Sequence, residues 1–314
     1  DSLDVVLIGA SQLYTGYSAP LAWQDYGFTS YPLTVSNIPA RLYGSLFTEA
    51  VNRQHPKLIV VDIDGFINDE DTEKLEANLR KWIDNMPWSR NKIETIRTCV
   101  PAELQSSFYF NVAKYHANWY QIDSWLPVQR RLRAMDKTGY SLSKGVETVC
   151  KSLPADFMPD VRPLTLSDAN AQYLRDFCAQ AQSIGTDVLF LRTPHRTQTT
   201  DPNVFADVAA VVGEYGYELL DLHDAFDTIG LDRCADFIDS DHLNTIGMEK
   251  FTVWFGQYLT GRYDLAGTHS ETVTAEWERC ADFTTQTLPL SKKLAAENTN
   301  QNLNEFSAVF DAYR

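Results

Sequence analysis

Short apolar runs alternate with amphipathic stretches along most of this chain, and that alternation constrains its fold more than any single residue does. Residues 5–8 (Val-Val-Leu-Ile) are continuously apolar and end in Gly9, the pattern of a strand buried on both faces. Comparable extended runs fall at 31–35, 58–61, 188–191 and 218–222. Helical patterns lie between them. Leu42, Leu46, Phe47 and Ala50 share one face, and Asp69, Glu70 and Asp71 open a helix that reaches about Met86, with negative charge at its favoured end. Ser167 caps a stripe of Leu174, Phe177, Cys178 and Ala181, and a further helix spans 204–215. The last strong element starts after Asn244 and places Met248, Phe251, Phe255, Tyr258 and Leu259 on one side.

Strands interleaved with helices pack as a parallel sheet covered on both faces. The expected fold is therefore α/β, a single three-layer domain over residues 1–263 with a central parallel sheet of about five strands. Residues 88–162 break the rhythm. They are rich in Trp, Tyr and Arg, with only a weak helical signal at 129–135, and read as an aromatic-rich insertion packed over one end of the sheet. The polar stretch 264–314 reads as a C-terminal helical extension on the outside of the domain.

Charge narrows the partners. With 27 Lys+Arg against 42 Asp+Glu the net charge is −15. A nucleic-acid binder held by phosphate neutralisation, or a binder of anionic membrane surfaces, needs the opposite sign. No window approaches eighteen uninterrupted apolar residues, so no membrane span is expected within the chain. Cys99, Cys150, Cys178, Cys234 and Cys280 are scattered without a Cys-x-x-Cys pair, which argues against a zinc ribbon and leaves disulfides open. The start at Asp1 reads as a processed or trimmed boundary, with any signal or N-terminal anchor outside it.

In open α/β sheets, sites form at the carboxyl ends of the strands, so the chemistry is sought in those loops. The first reads Gly9-Ala10-Ser11-Gln12 and puts a serine where the backbone can turn sharply and expose a hydroxyl. On position alone an ordinary N-cap is the better explanation of Ser11. The last loop, Asp239-Ser-Asp241-His242-Leu-Asn244, puts a histidine three residues after one carboxylate and directly before a helix. A hydrolytic serine needs a base, and the base needs a carboxylate to fix its tautomer; Asp239 and His242 supply both locally. A capping Asn244 alone accounts for only part of this loop.

These blocks resemble those of the SGNH (GDSL-type) hydrolases, whose nucleophile block is matched by Gly9-Ala10-Ser11 and whose Asp-x-x-His block is matched by Asp239 and His242. A closer resemblance is to a bacterial cell-surface branch related to polysaccharide O-acyltransfer proteins. It rests on Ile8-Gly-Ala-Ser11, on residues 31–39, on Tyr115-His116-Ala-Asn-Trp119, and on His242-Leu-Asn-Thr-Ile-Gly247. The resemblance runs from about Leu3 to Tyr263. It implies a flavodoxin-like sheet, a Ser11–His242–Asp239 triad, and a serine-dependent esterase acting on O-acyl, most simply O-acetyl, groups of carbohydrate without metal or organic cofactor. An O-acyltransferase, or a non-catalytic glycan-binding protein of the same fold, is the alternative. The resemblance also implies an extracellular or cell-surface place. Two departures stand out. Asn37 replaces the glycine that offers its amide to the oxyanion, and Gly65-Phe-Ile-Asn68 is one residue longer than the expected Gly-x-Asn, which displaces Asn68, the residue that would supply the side-chain donor.

Further candidates follow from placement. Asp64, His116, Arg192 and His195 are taken as substrate-binding, His116 through the resemblance and the last two because they follow the fourth strand. Tyr14, Tyr17, Trp23 and Tyr26 follow the nucleophile closely, where aromatic rings suit either sugar stacking or packing of the first helices. Asp62-Ile-Asp64-Gly65 also resembles the Asp-x-Asp signature of haloacid-dehalogenase-type phosphatases, in which the first carboxylate attacks phosphorus beside Mg²⁺. That signature normally occupies the first strand, and here it occupies the third.

Overall fold

In the computed structural model, which describes residues 3–68, 72–110, 142–265 and 267–298 together with Val309, Ala312 and Tyr313, each of the five apolar runs forms a strand. They are β1 (Val5–Gly9), β2 (Ser30–Thr34), β3 (Leu58–Asp62), β5 (Asp187–Arg192) and β7 (Leu219–Asp221). All pair in parallel, in the order β2-β1-β3-β5-β7. Chain order reverses beside β1, because β2 lies on one side of it and β3 on the other. The carboxyl ends of β1 and β3 therefore flank the crevice where such sheets hold their ligands.

Alternation along each strand explains both helical layers. Val6, Ile8, Ile59, Val61, Val188 and Phe190 enter one apolar cluster, and Val5, Leu7, Leu58, Val60, Leu189 and Leu191 enter another on the opposite face. The first face is covered by α3 (Tyr43–Gln54), α5 (Leu75–Ile83), α6 (Arg90–Cys99), α8 (Asp168–Ile184) and α9 (Val204–Gly213). The second is covered by α1 (Ser11–Gly16), α2 (Ala19–Tyr26), α10 (Phe226–Ile229) and α11 (Thr245–Arg262). Two short helices, α4 (Asp64–Ile67) and α7 (Gln105–Tyr109), complete the set up to residue 110. The result is the three-layer α/β sandwich the pattern predicts.

Three expectations change. The start of the supposed insertion is a true part of the first layer: Ser89 caps α6 by accepting from the Lys92 amide, and Ile96, Cys99 and Phe108 join the core. The helix expected from the acidic cluster begins only at Leu75, and Asp69, Glu70 and Asp71 lie outside the described residues. The C-terminal helix α12 (Glu271–Ala296) is more than an outer wrap. Trp277 enters the second apolar cluster beside Trp23, and Thr285 donates to Gln24. Sequence periodicity also misses a second, two-stranded parallel sheet formed by β4 (Val161–Arg162) and β6 (Gln198–Thr199), because two residues carry no period. Among the described residues no helix is long and apolar enough to cross a membrane.

Candidate active site

The crevice begins with Gly9 at the end of β1. A Cβ there would lie 2.5 Å from the Asp62 Cβ, so only glycine lets β1 and β3 end side by side. The chain then turns, the Ala10 amide donates to Asp62 Oδ2 at 3.3 Å, and Ser11 becomes the first residue of α1. Leu13, buried in the second apolar cluster, anchors this short helix and leaves Ser11 half-buried at the crevice.

The opposite wall is the loop between Asp236 and α11. It is closed by a bridge between Phe237 and Leu243, by Ile238 N donating to His242 O at 3.0 Å, and by Asn244 N donating to Asp236 O at 2.9 Å. Fully buried Asn244 caps α11. Its Oδ1 accepts from Ile246 and Gly247, while its Nδ2 donates to Lys151 O and Ala235 O. Gly247 is required because a Cβ would come within 2.4 Å of Asp236 O. The His-Leu-Asn-x-x-Gly spacing thus has a local reason: it sets one tight loop onto one helix start.

That loop brings the three sequence-predicted residues together. Ser11 Oγ lies 2.7 Å from His242 Nε2, and His242 Nδ1 lies 2.9 Å from both oxygens of Asp239. Asp239 Oδ1 also accepts from the backbone amides of Asp241 and His242 at 2.8 Å each. Burial pulls the His242 titration down, but the hydrogen bond and charge of Asp239, with the charges of Asp241 and Asp64, outweigh it and raise it above the ordinary value. Burial raises Asp239, yet its bonds to His242 and the two amides leave it below the usual carboxylate range. The Tyr14 hydroxyl hydrogen-bonds Ser11 and Ser36, and its own titration is raised by burial and by Glu147.

A cavity of about 290 Å³ opens beside Ser11 and His242. Asn37, Asp64, Gly65, Asn68, Arg162 and Asp241 help line it, with Ile38, Pro39 and Leu75 as apolar wall. Asn37 has φ 53°, the left-handed conformation that glycine and asparagine adopt most readily. Asp64 accepts from Gln12 Nε2, and its pKa rises to about 6 because burial and the Asp241 charge outweigh Arg192, His242 and Arg162. Asn68 lines the cavity, but its side-chain nitrogen donates to Asp64 O at 2.7 Å. The Gly65 amide is likewise engaged, by the Tyr43 hydroxyl at 3.1 Å.

Several expectations need correction. Arg192 and His195 stand at the carboxyl end of β5 but do not line this cavity. Arg192, 4% exposed, pairs with Asp221 at 3.1 Å, lies over the Phe205 ring and donates from Nε to His195 Nε2 at 3.2 Å. Tyr17, Trp23 and Tyr26 pack the helical layer instead of the crevice: Tyr17 bonds Ser30, Trp23 sits against Trp277, and Tyr26 reaches Val253 O. His116 lies outside the described residues. Asp62 is fully buried and is not on the cavity, and burial together with the charge of the neighbouring Asp64 raises its titration well above the usual carboxylate range. A carboxylate so placed has no path to an incoming phosphorus, which removes the geometric basis of the phosphatase resemblance. Sequence reading missed Arg162, which reaches the cavity from a strand too short to announce itself. The chain matches no family model, and no curated protein matches it.

Proposed function

We propose that this protein is a serine-dependent esterase of the SGNH type, acting on O-acyl groups of carbohydrate, with acetyl the group that best suits the cavity. The observation that carries the reading is the unbroken line of contacts from Ser11 Oγ through His242 to Asp239, at 2.7 and 2.9 Å. Ser11 Oγ attacks the ester carbonyl while His242 Nε2 takes its proton. The tetrahedral intermediate collapses as the C–O bond to the sugar breaks, and His242 returns the proton to the leaving alcohol. Water, activated by the same imidazole, then attacks the acyl-enzyme and releases the acid and Ser11. Asp239 orients the ring and stabilises the imidazolium. The backbone amides of Ser11 and Asn37 are the assigned oxyanion donors, and the left-handed Asn37 takes the place of the glycine in the resemblance. Where a sugar hydroxyl replaces water in the second half, the same residues perform O-acyl transfer.

A cavity of about 290 Å³ with amide and charged walls supports a short acyl group on a hydroxylated substrate over a long lipid chain. One observation favours a second reading, a glycan binder without turnover: the Gly65 amide is spent on Tyr43, and Asn68 commits one of its two side-chain N–H groups to Asp64 O. An absent oxyanion donor costs about 3–4 kcal/mol of transition-state stabilisation. Hydrolysis of p-nitrophenyl acetate and labelling by a fluorophosphonate, measured on the wild type and Ser11→Ala, separate the two. The esterase reading expects both signals to vanish in the variant. Equal background rates with no labelled serine would sink it in favour of the binder.

A further inference from the structure

Asp241 sits between the two partners of the triad loop, yet its carboxylate oxygens are bonded to groups other than the imidazole. Its Oδ2 meets Arg162 Nη1 at 2.7 Å, and its Oδ1 accepts from the Thr197 hydroxyl. Both partners belong to the small β4–β6 sheet or its approach. Ser240 is held from the same side: its carbonyl accepts from the Arg196 amide at 2.6 Å and the Thr197 amide at 3.2 Å, and its Oγ from the Asp160 amide at 2.8 Å. The mini-sheet is in turn closed by Gln198 N donating to Asp160 O at 2.9 Å and Thr200 N to Arg162 O at 3.1 Å. Asp239 and His242 hold each other, while Ser240 and Asp241 are held by a separate structural unit.

We propose that Arg162 and Asp241 form a positioning pair for His242, in which the guanidinium anchors the loop through Asp241 and offsets that carboxylate's charge beside the base. This rests on the reading of His242 as the general base. The groups facing the imidazole are Ser11, Asp239, Asp241 and Asp64. Orientation needs only Asp239. The other two carboxylates favour the imidazolium, which cannot accept the serine proton. The cations that answer them are Arg162, paired with Asp241 and with Asp160, and Arg192, which acts on Asp64 while paired with Asp221. Asp241 is well covered at 12% side-chain exposure, so solvent screens its charge little and Arg162 is the group that does so.

The test follows the His242 imidazole by NMR titration of the full chain, assigned against His242→Gln, in the wild type, Arg162→Gln, Asp241→Asn and the double variant. Removing the guanidinium moves the midpoint up and removing the carboxylate moves it down, each by on the order of half a pH unit, and the double variant returns toward the wild type. Arg162→Lys, which keeps the charge, restores the wild-type midpoint. Shifts in the same direction, or none, overturn the proposal, since a merely structural pair would loosen the loop without opposed signs. If Arg162→Gln does not fold, Arg162→Met takes its place with the same expected signs: a raised midpoint supports the pair and an unchanged one overturns it. Parallel p-nitrophenyl acetate rates keep the two ideas apart. Opposed shifts without turnover in any sample would leave the pair standing and fault the esterase reading.

Discussion

His242 and His195 stand at the same carboxyl edge of one sheet, and each follows a charged residue by three positions. The signs differ. His242 faces Asp239, with Nδ1 2.9 Å from its oxygens, and His195 faces Arg192, whose Nε donates to its Nε2 at 3.2 Å. Burial pulls both imidazoles toward neutrality. At His242 the surrounding carboxylates reverse that pull and raise the titration; at His195 Arg192, His223 and Arg162 add to it and hold it well below the ordinary value. The lesson is that edge position brings a histidine to a site, and the sign of its partner decides whether it exchanges protons or serves as a fixed acceptor.

The strongest way to break this comparison is to delete each ring. His242→Ala is expected to lower p-nitrophenyl acetate turnover by about 10³-fold or more, since a base that acts as a unit with its nucleophile is not partly replaceable. His195→Ala should leave turnover per folded molecule within about threefold. It should instead lower unfolding stability by about 1–3 kcal/mol, because a buried Arg192 donor loses its acceptor. Turnover measured beside urea unfolding checks both. Equal losses of turnover would return His195 to the chemistry and erase the distinction.

That distinction was only half legible in the sequence. The three central strands announced themselves because burial on both faces demands unbroken apolar runs, the edge strands β2 and β7 gave only mixed runs, and Asp239 with His242 announced itself because the contact is local. Ser11 could be placed because it directly follows the first strand. Arg192 and His195 follow a strand just as directly, but strand position gives the end of the sheet and not the direction of a side chain. Asp221 and Phe205, which pull Arg192 away from the cavity, are far off in the chain. Arg162 was hidden for the opposite reason: two-residue strands leave no periodicity, and its partner Asp241 is 79 positions away. The C-terminal helix looked like an outer wrap because its polar residues outnumber the few, such as Trp277 and Phe283, that reach inward.

Asp64 sharpens the comparison, because it feels both His242 and Arg192. Its folded pKa of about 6 lies above the ordinary 3.8, so the native protein holds this proton more tightly than the unfolded chain does. The resulting stability is fully present below pH 3.8 and is lost as pH rises through 6. A shift of roughly two units corresponds to about 3 kcal/mol. Asp64→Asn keeps an acceptor for Gln12 and removes the charge, so it should raise unfolding stability at pH 8 by up to about 3 kcal/mol and change it little at pH 4. Urea unfolding at the two pH values measures this. A loss of stability at pH 8 would mean that Gln12 and Arg192 welcome the carboxylate more than burial opposes it.

The smallest expected effect is also the most direct reading of the two imidazoles. A base works only when neutral, and His242 keeps its proton to a pH above the ordinary histidine value of 6.5 because Asp239, Asp241 and Asp64 favour the imidazolium. The acid limb of kcat/KM for p-nitrophenyl acetate should therefore have its midpoint above 6.5, with activity rising as the proton leaves. His195, neutral throughout this range, should contribute nothing to the limb, so His195→Gln should leave its midpoint in place. Asp64 ionises first, at about 6, and its new charge strengthens the hold on the His242 proton; Asp64→Asn should accordingly move the limb downward by a fraction of a unit. A pH–rate profile on the three proteins tests the whole scheme. A midpoint at or below 6.5, or a limb that moves with His195 instead of Asp64, would mean that the carboxylates around His242 do not control it.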